Sequence, residues 1–239
     1  MNPYYSHPTA ELYLGHALDV LAELPTESVD LVITDPPYGV EWQSNRRAER
    51  FGQLFADTTN DRDGIRAVMA EAVRIVGQNR HLYAFGPADV LEGLKVAEVV
   101  ELVWNKNRPG MGDLTAPWAP AHERISFTTS KHRHAGEAGK PNLPARLRKG
   151  SVLTFSPPTG RKVRHPSEKP VALLRELIES SSRAGDLVLD PFAGSGSTGV
   201  AAVLSGRRAI LVETDEHYAE LAADRLAAAA GIAAEAALL

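Results

Sequence analysis

Val188-Leu189-Asp190-Pro191-Phe192-Ala193-Gly194-Ser195-Gly196-Ser197-Thr198-Gly199 is an apolar run closing on an acid, then a proline, then a glycine-rich turn. Gly194, Gly196 and Gly199 satisfy G-x-G-x-x-G between that run and a helix predicted over 196–205. Strand, glycine turn and helix in this order open a nucleoside-binding βαβ unit, because small residues let the turn approach a ligand closely. The next apolar run, 209–212, ends on Glu213, where an acid can accept both hydroxyls of a ribose. Asp215 stands where a helix N-cap is expected. By itself this unit suits a nicotinamide dinucleotide as well as S-adenosylmethionine.

The alternation extends in both directions. A helix over 170–182 and a strand over 187–190 precede the turn, and a strand over 209–213 and a helix over 216–230 follow it. Nearer the N-terminus, 11–15 and 29–35 read as strands with a helix over 17–24 between them. The second is a continuous apolar run of the kind buried on both faces of a parallel sheet. Apolar residues at 65, 68, 69, 72, 73 and 76 predict a helix over 63–77, ended by Gly77. Residues 81–85 and 99–104 read as strands around a helix near 88–97, and 125–129 as a further strand. The Ala-rich tail, 226–239, reads as a helix with a frayed end. The expected fold is α/β: a Rossmann-like, mostly parallel central sheet with helices on both faces and ligands at the strand C-termini.

The chain has 239 residues, 44% hydrophobic and 23% charged, which fits a single domain over 1–239 with a sizeable core. It contains no cysteine. That excludes a disulfide scaffold, a Cys-ligated zinc or iron–sulfur site and a thiolate nucleophile. Residues 1–8 lack the apolar segment of a signal peptide, and no run approaches the ~18 apolar residues of a membrane span. A soluble intracellular protein is expected. The net charge of −4 hides an asymmetry: from Lys131 to Lys169, ten Lys/Arg face only Glu137 and Glu168, so this stretch carries +8 and the remainder −12. An electropositive segment suits a polyanion, because phosphate contacts supply most nonspecific nucleic-acid affinity. Arg46 and Arg47 begin a second, smaller patch. His132-x-His134 belongs with the basic surface, and no metal site is expected.

Asp35-Pro36-Pro37-Tyr38 follows the buried run that ends at Thr34. A carboxylate, a backbone stiffened by two prolines and an aromatic ring at a strand end make a compact site for an exocyclic amino group. Asp35 can accept one N–H and the Pro36 carbonyl the other, while Tyr38 can stack on an extruded base. A nucleobase amine is a poor nucleophile because its lone pair is delocalised into the ring. Two acceptors favour a pyramidal nitrogen with that lone pair localised toward a methyl donor. A nicotinamide-dependent oxidoreductase has no use for this second motif, and a noncatalytic DNA-binding protein has no need of both.

With both motifs in view, the chain resembles the amino-group DNA methyltransferases, and its motif order resembles their permuted β class. Thr34-Asp35-Pro36-Pro37-Tyr38-Gly39 matches the catalytic motif and Asp190-Pro191-Phe192-Ala193-Gly194-Ser195-Gly196 the cofactor motif. His165-Pro166-Ser167-Glu168-Lys169-Pro170 resembles the H-P-x-x-K-P element, and Val103-Trp104-Asn105-Lys106 and His122-Glu123-Arg124-Ile125 resemble segments between the motifs. The resemblance implies an S-adenosylmethionine-dependent methyltransferase fold, with Asp35, Pro36, Pro37 and Tyr38 holding the target base. It implies cofactor contacts from Asp35, His165, Ser167, Lys169, Asp190, Pro191, Phe192, Gly194 and Gly196, with Glu213 on the ribose and Lys169 suited to the methionine carboxylate. The family often has Gly-Asp after its first strand; here Gly15-His16 stands there, so His16, or Asp19, takes the adenine contact.

The implied reaction is direct transfer to the N6 amino group of adenine in double-stranded DNA, after base flipping, with cytosine-N4 as the alternative. An RNA or protein amide methyltransferase is a more distant one. Attack at cytosine C5 would need a thiolate, which this chain lacks. Residues 131–164 are the candidate target-recognition segment. The candidate DNA contacts are Arg46, Arg47, Lys131, Arg133, Arg146, Arg148, Lys149, Arg161, Lys162 and Arg164, reading guanine edges or binding phosphate. A homodimer, a cognate restriction endonuclease and a cytoplasmic location in a bacterial, archaeal or phage-infected cell complete the expectation.

Overall fold

Leu31 and Ile33 fall in one buried cluster and Val32 in another, as do Tyr83 and Phe85 against Leu82 and Ala84, because side chains alternate across a strand. Both faces of one sheet are therefore core. The computed structural model describes residues 1–37, 62–86, 88–108, 115, 117–130, 149–159 and 168–236. Its strands are β1 (Tyr5–His7), β2 (Ala10–Leu14), β3 (Val29–Thr34), β4 (Val76–Phe85), β5 (Val100–Asn105), β6 (His122–Thr129), β7 (Val152–Thr154), β8 (Leu187–Asp190) and β9 (Arg208–Glu213). Its helices are α1 (Ala17–Glu23), α2 (Arg62–Ile75), α3 (Val171–Ser181), α4 (Ser197–Leu204) and α5 (Glu216–Ala236).

The sheet order is β1-β2-β9-β8-β3-β4-β6-β5-β7. Neighbours from β2 to β4 pair in parallel, while β6 runs antiparallel to both β4 and β5. Leu173, Val200 and Leu226 bring α3, α4 and α5 onto one face; Val20, Leu21, Val68 and Met69 bring α1 and α2 onto the other. From β8 the chain passes through α4 to β9 on one side, and from β3 through α2 to β4 on the other. Diverging crossovers leave a crevice at the C-terminal ends of β8 and β3. The pair is pinned at its other end, where the Leu187 amide donates to Asp30 Oδ2 at 2.9 Å and Arg80 bridges Asp30 at 2.8 Å and Asp186 at 3.5 Å.

The structure departs from the sequence pattern at three places. The helix expected to end at Gly77 ends at Ile75, and α2 passes into β4 without a loop: the Gly77 carbonyl accepts the Ser130 hydroxyl and the Asn79 amide donates to the Ser130 carbonyl. The helix expected near 88–97 is only a 3-10 turn over Ala88–Leu91, since Gly93 at φ +76° turns the chain back to pair Val96 with Ser130. Two three-residue edge strands, β1 and β7, are too short to show a period, and β7 lies within the stretch read as an insert. The Ala-rich tail is helical as expected, α5 running to Ala236.

Two motif glycines make room for protein rather than ligand. A Cβ on Gly196, which has φ +75°, would stand 2.8 Å from Ala222 Cβ; one on Gly199 would stand 2.5 Å from Leu211 Cδ1 and 2.8 Å from Leu226 Cδ2. Glycine thus seats α4 directly on β9 and α5. Gly199→Ala should lower stability by about 1–3 kcal/mol through overpacking, despite the better helix propensity of alanine. Denaturant midpoints measure this, and a midpoint at or above wild type would show that the seat yields instead.

Candidate active site

Four neighbouring strand ends gather the polar groups. Asp190 ends β8, Glu213 ends β9, Asp35 follows β3, and Gly15-His16 follows β2, where the Gly15 amide donates to the Glu213 carbonyl at 2.9 Å. Asp190 is 3% exposed. Its Oδ1 accepts the Phe192 amide at 3.1 Å. Burial pushes its carboxyl up to about 6, against the pull of hydrogen bonds from Thr198 and the Phe192 amide. Glu213 is also raised by burial, although it accepts amides from Asp215 and Thr214 at 2.9 Å each and from Gly194 at 2.6 Å. Gly194 reaches this contact at φ +52°. Asp215 caps α5 by accepting the Tyr218 amide at 3.1 Å, as its position in the sequence suggests.

A second cluster faces the first. Lys169, just before α3, donates its ammonium to Asp35 Oδ2, lies 3.5 Å from Glu123 Oε2 and sits 5.0 Å above the Phe85 ring. Glu123, at the start of β6, also meets Lys106 Nζ at 2.6 Å. Burial alone would lower the Lys169 pKa; Asp35 and then Glu123 outweigh it and raise it. For Glu123 burial pulls upward, but Lys169 and Lys106 prevail and hold it below the usual carboxylate range. Each charge in this half-buried row is stabilised by its neighbours.

The two clusters share a mount. Glu168 pairs with Arg225 of α5 at 3.0 Å, and Arg225 Nη1 donates to the Ser195 carbonyl at 2.6 Å and hydroxyl at 2.7 Å. Consecutive residues Glu168 and Lys169 therefore tie the glycine turn to Asp35.

Among the residues singled out from sequence, Asp35, Pro36, Pro37, Lys169, Asp190, Pro191, Phe192, Gly194, Gly196, Glu213 and His16 occupy this end of the sheet. Phe192 is half-buried and packs against the core between the sheet and α1 and α2. His16 is at the N-cap position of α1, where its side chain makes no capping bond. Lys169, expected to suit a methionine carboxylate, places its ammonium on Asp35 and Glu123. Lys149, a candidate DNA contact, pairs with Glu176 of α3. Tyr38, His165, Ser167, Arg46, Arg47, Lys131, Arg133, Arg146, Arg148, Arg161, Lys162 and Arg164 lie outside the described residues. Glu123, Lys106, Glu168 and Arg225 enter the site only through the structure. The first three stand in quoted motif segments, but a contact across the sheet has no local sequence signal.

The chain as a whole is similar to known proteins. A family model described as DNA methylase, for the N6/N4 enzymes, matches residues 29–224. The type II methyltransferase M2.DpnII of Streptococcus pneumoniae is 27% identical, covering 95% of this chain and 92% of its own. The DNA adenine methyltransferase YhdJ of Escherichia coli K12 is 30% identical over 92% of this chain and 84% of its own. The Thermus thermophilus protein TTHA0409, solved with S-adenosyl-L-methionine, superimposes with a TM-score of 0.66 at 24% identity over 93% and 96% of the two chains.

Proposed function

The chain belongs to the N6/N4 DNA methylase family, and from that premise we propose that it methylates the exocyclic N6 amino group of adenine in double-stranded DNA. The family is S-adenosylmethionine-dependent. The observation that carries the reading is Asp35, on Lys169 at the end of β3, beside the β8 strand that ends in the buried Asp190.

The residues present fit the donor. Its ammonium and hydroxyls need acceptors, and Asp190 and Glu213 supply carboxylates at adjacent strand ends. Ser197 Oγ, at the first residue of α4, is buried without a hydrogen-bond partner. Asp190, Gly194 and Glu213 would hold the donor, with His16 or Asp19 toward its adenine, Phe192 beside it, and His165 and Ser167 from the H-P-x-x-K-P segment. When bound, it supplies an electrophilic methyl: the amine lone pair forms the new N–C bond as the C–S bond breaks, and sulfur keeps that electron pair. Asp35 and the Pro36 carbonyl orient the flipped amine and Tyr38 stacks on the base; the proton leaves after transfer, to Asp35 or water. The basic residues of 131–164, with Arg46 and Arg47, bind the duplex.

Adenine is favoured because Asp opens the catalytic motif and because YhdJ, named an adenine methyltransferase, is similar over most of its length. Incubation with DNA and labelled donor, followed by nucleoside mass spectrometry, tests this. N6-methyladenine is the expected product. N4-methylcytosine would move the target within the family, and label confined to RNA would overturn the assignment to DNA. A homodimer, a restriction endonuclease partner and a cytoplasmic location belong to the same proposal; among the described residues no helix is long and apolar enough to cross a membrane.

A further inference from the structure

Lys169 stands between two carboxylates, Asp35 of the catalytic motif and Glu123 of β6, and Glu123 is itself held by Lys106. We propose that Glu123 is a positioning residue for methyl transfer: it shares Lys169 with Asp35, so that the lysine orients the Asp35 carboxylate without being drawn wholly onto it. The inference rests on the reading of Asp35 given above, since it assigns Asp35 the amine of the target base.

The geometry makes the sharing necessary. Lys169 has a side chain only 10% exposed, so its ammonium takes its partners mainly from the protein. Phe85 offers a ring face at 5.0 Å, which attracts the cation but accepts no N–H in the manner of a carboxylate. With Glu123 neutral, more of the ammonium's charge-assisted bonding would fall on Asp35, and the target amine would compete with a buried ion pair for those oxygens. With Glu123 charged, the ammonium is bonded from two sides. Lys106 at 2.6 Å fixes Glu123 Oε1, leaving Oε2 toward Lys169. Among the described residues, the charged groups near Lys169 and Asp35 include Glu123 from β6, Lys106 just after β5, and Asp190 from β8, whose carboxyl feels Asp35.

Glu123→Gln removes the charge and keeps the shape. The expected result is a fall in kcat of about 10- to 100-fold with the donor Kd, by calorimetry, within about threefold of wild type. Independently of catalysis, the Lys169 side chain, followed by NMR of carbon-13-labelled lysine and assigned by its absence in Lys169→Met, should titrate at lower pH than in wild type, having lost one of two adjacent anions. Glu123→Asp keeps the charge and should recover most of the titration shift; it serves too as the test variant, with a smaller shift in the same direction, if the glutamine protein does not fold. An unchanged kcat, or an unchanged Lys169 titration beside a reduced kcat, overturns the proposal; the second result would mark Glu123 as merely structural. Failure of wild type to methylate DNA would instead overturn the function proposed above, while the lysine titration would still report whether Glu123 and Asp35 share the ammonium.

Discussion

Asp35→Ala should reduce methyl transfer to DNA by at least about 10³-fold under single-turnover conditions, while duplex affinity stays close to wild type and melting falls only by what Lys169 loses with its partner. On the proposed assignment the substitution removes two things together: an acceptor for the reacting amine and the partner of Lys169. Loss of one preorganised hydrogen-bonding group at a reacting centre costs about 10²–10³ in rate. Misplacement of the reactants by about 1 Å costs roughly another 10². The backbone should tolerate the change, since Pro36 and Pro37 still fix the turn and Asp35 is only partly buried. Asp35→Asn should fall between, because its amide oxygen still accepts an N–H but no longer carries the charge that Lys169 meets. A rate within tenfold of wild type for the alanine variant would remove Asp35 from the chemistry.

Asp190→Asn should make the protein more stable at pH 7 and lose donor binding. The Asp190 pKa is about 6 in the folded chain against 3.8 for an ordinary carboxyl, so the folded state holds this proton more tightly. Stability therefore falls as pH rises from 3.8 to 6, and above pH 6 ionised Asp190 weakens the fold by about 3 kcal/mol. Asparagine removes that charge and keeps an oxygen for the Phe192 amide; after lost hydrogen bonding the net gain should be about 1–2 kcal/mol, or about 2–8 °C in Tm. His81 acts in the opposite sense. Its ring bonds Ser181 Oγ at 2.6 Å, and burial lowers its pKa to about 4 from 6.5. The unfolded chain takes that proton first, so stability is lost as pH falls from 6.5 to 4, by about 3 kcal/mol in all. In wild type the two groups nearly cancel between pH 4 and 6. In Asp190→Asn the His81 loss is unopposed, so its melting temperature should fall steeply with acidification while wild type changes less. Parallel melting curves for the two proteins over this range would contradict the shift assigned to Asp190, and a flat curve for Asp190→Asn would contradict the shift assigned to His81.

What could be read in the chain was local. The run 29–34 announced a strand buried on both faces, and the glycine turn after Asp190 announced a βαβ unit at a strand end, because periodicity and turn chemistry act within a few residues. Glu213 and Asp215 were distinguishable for the same reason: one ends an apolar run and the other precedes a helix. The immediate strand after α2 and the 88–97 region were not legible because Ser130, far along the chain, supplies the bonds that hold Gly77 and Asn79 extended and pair Val96. The row Asp35–Lys169–Glu123–Lys106 unites four separate segments. Its members could be quoted from motifs, but their mutual contacts depend on a strand order that no local pattern encodes.

That strand order also shapes how the protein is born. The Asp30 carboxylate waits for the Leu187 amide, 157 residues later, and only then does β3 gain β8 as its second neighbour. At about 5–20 residues per second, β3 leaves the ribosome roughly 10–30 s before the strand that flanks it. During that interval one edge of β3, apolar on both faces, is unpaired and open to other strands. Chains cut short before β8 should aggregate rather than persist as half-domains, and in vivo yield should respond to translation speed across this interval.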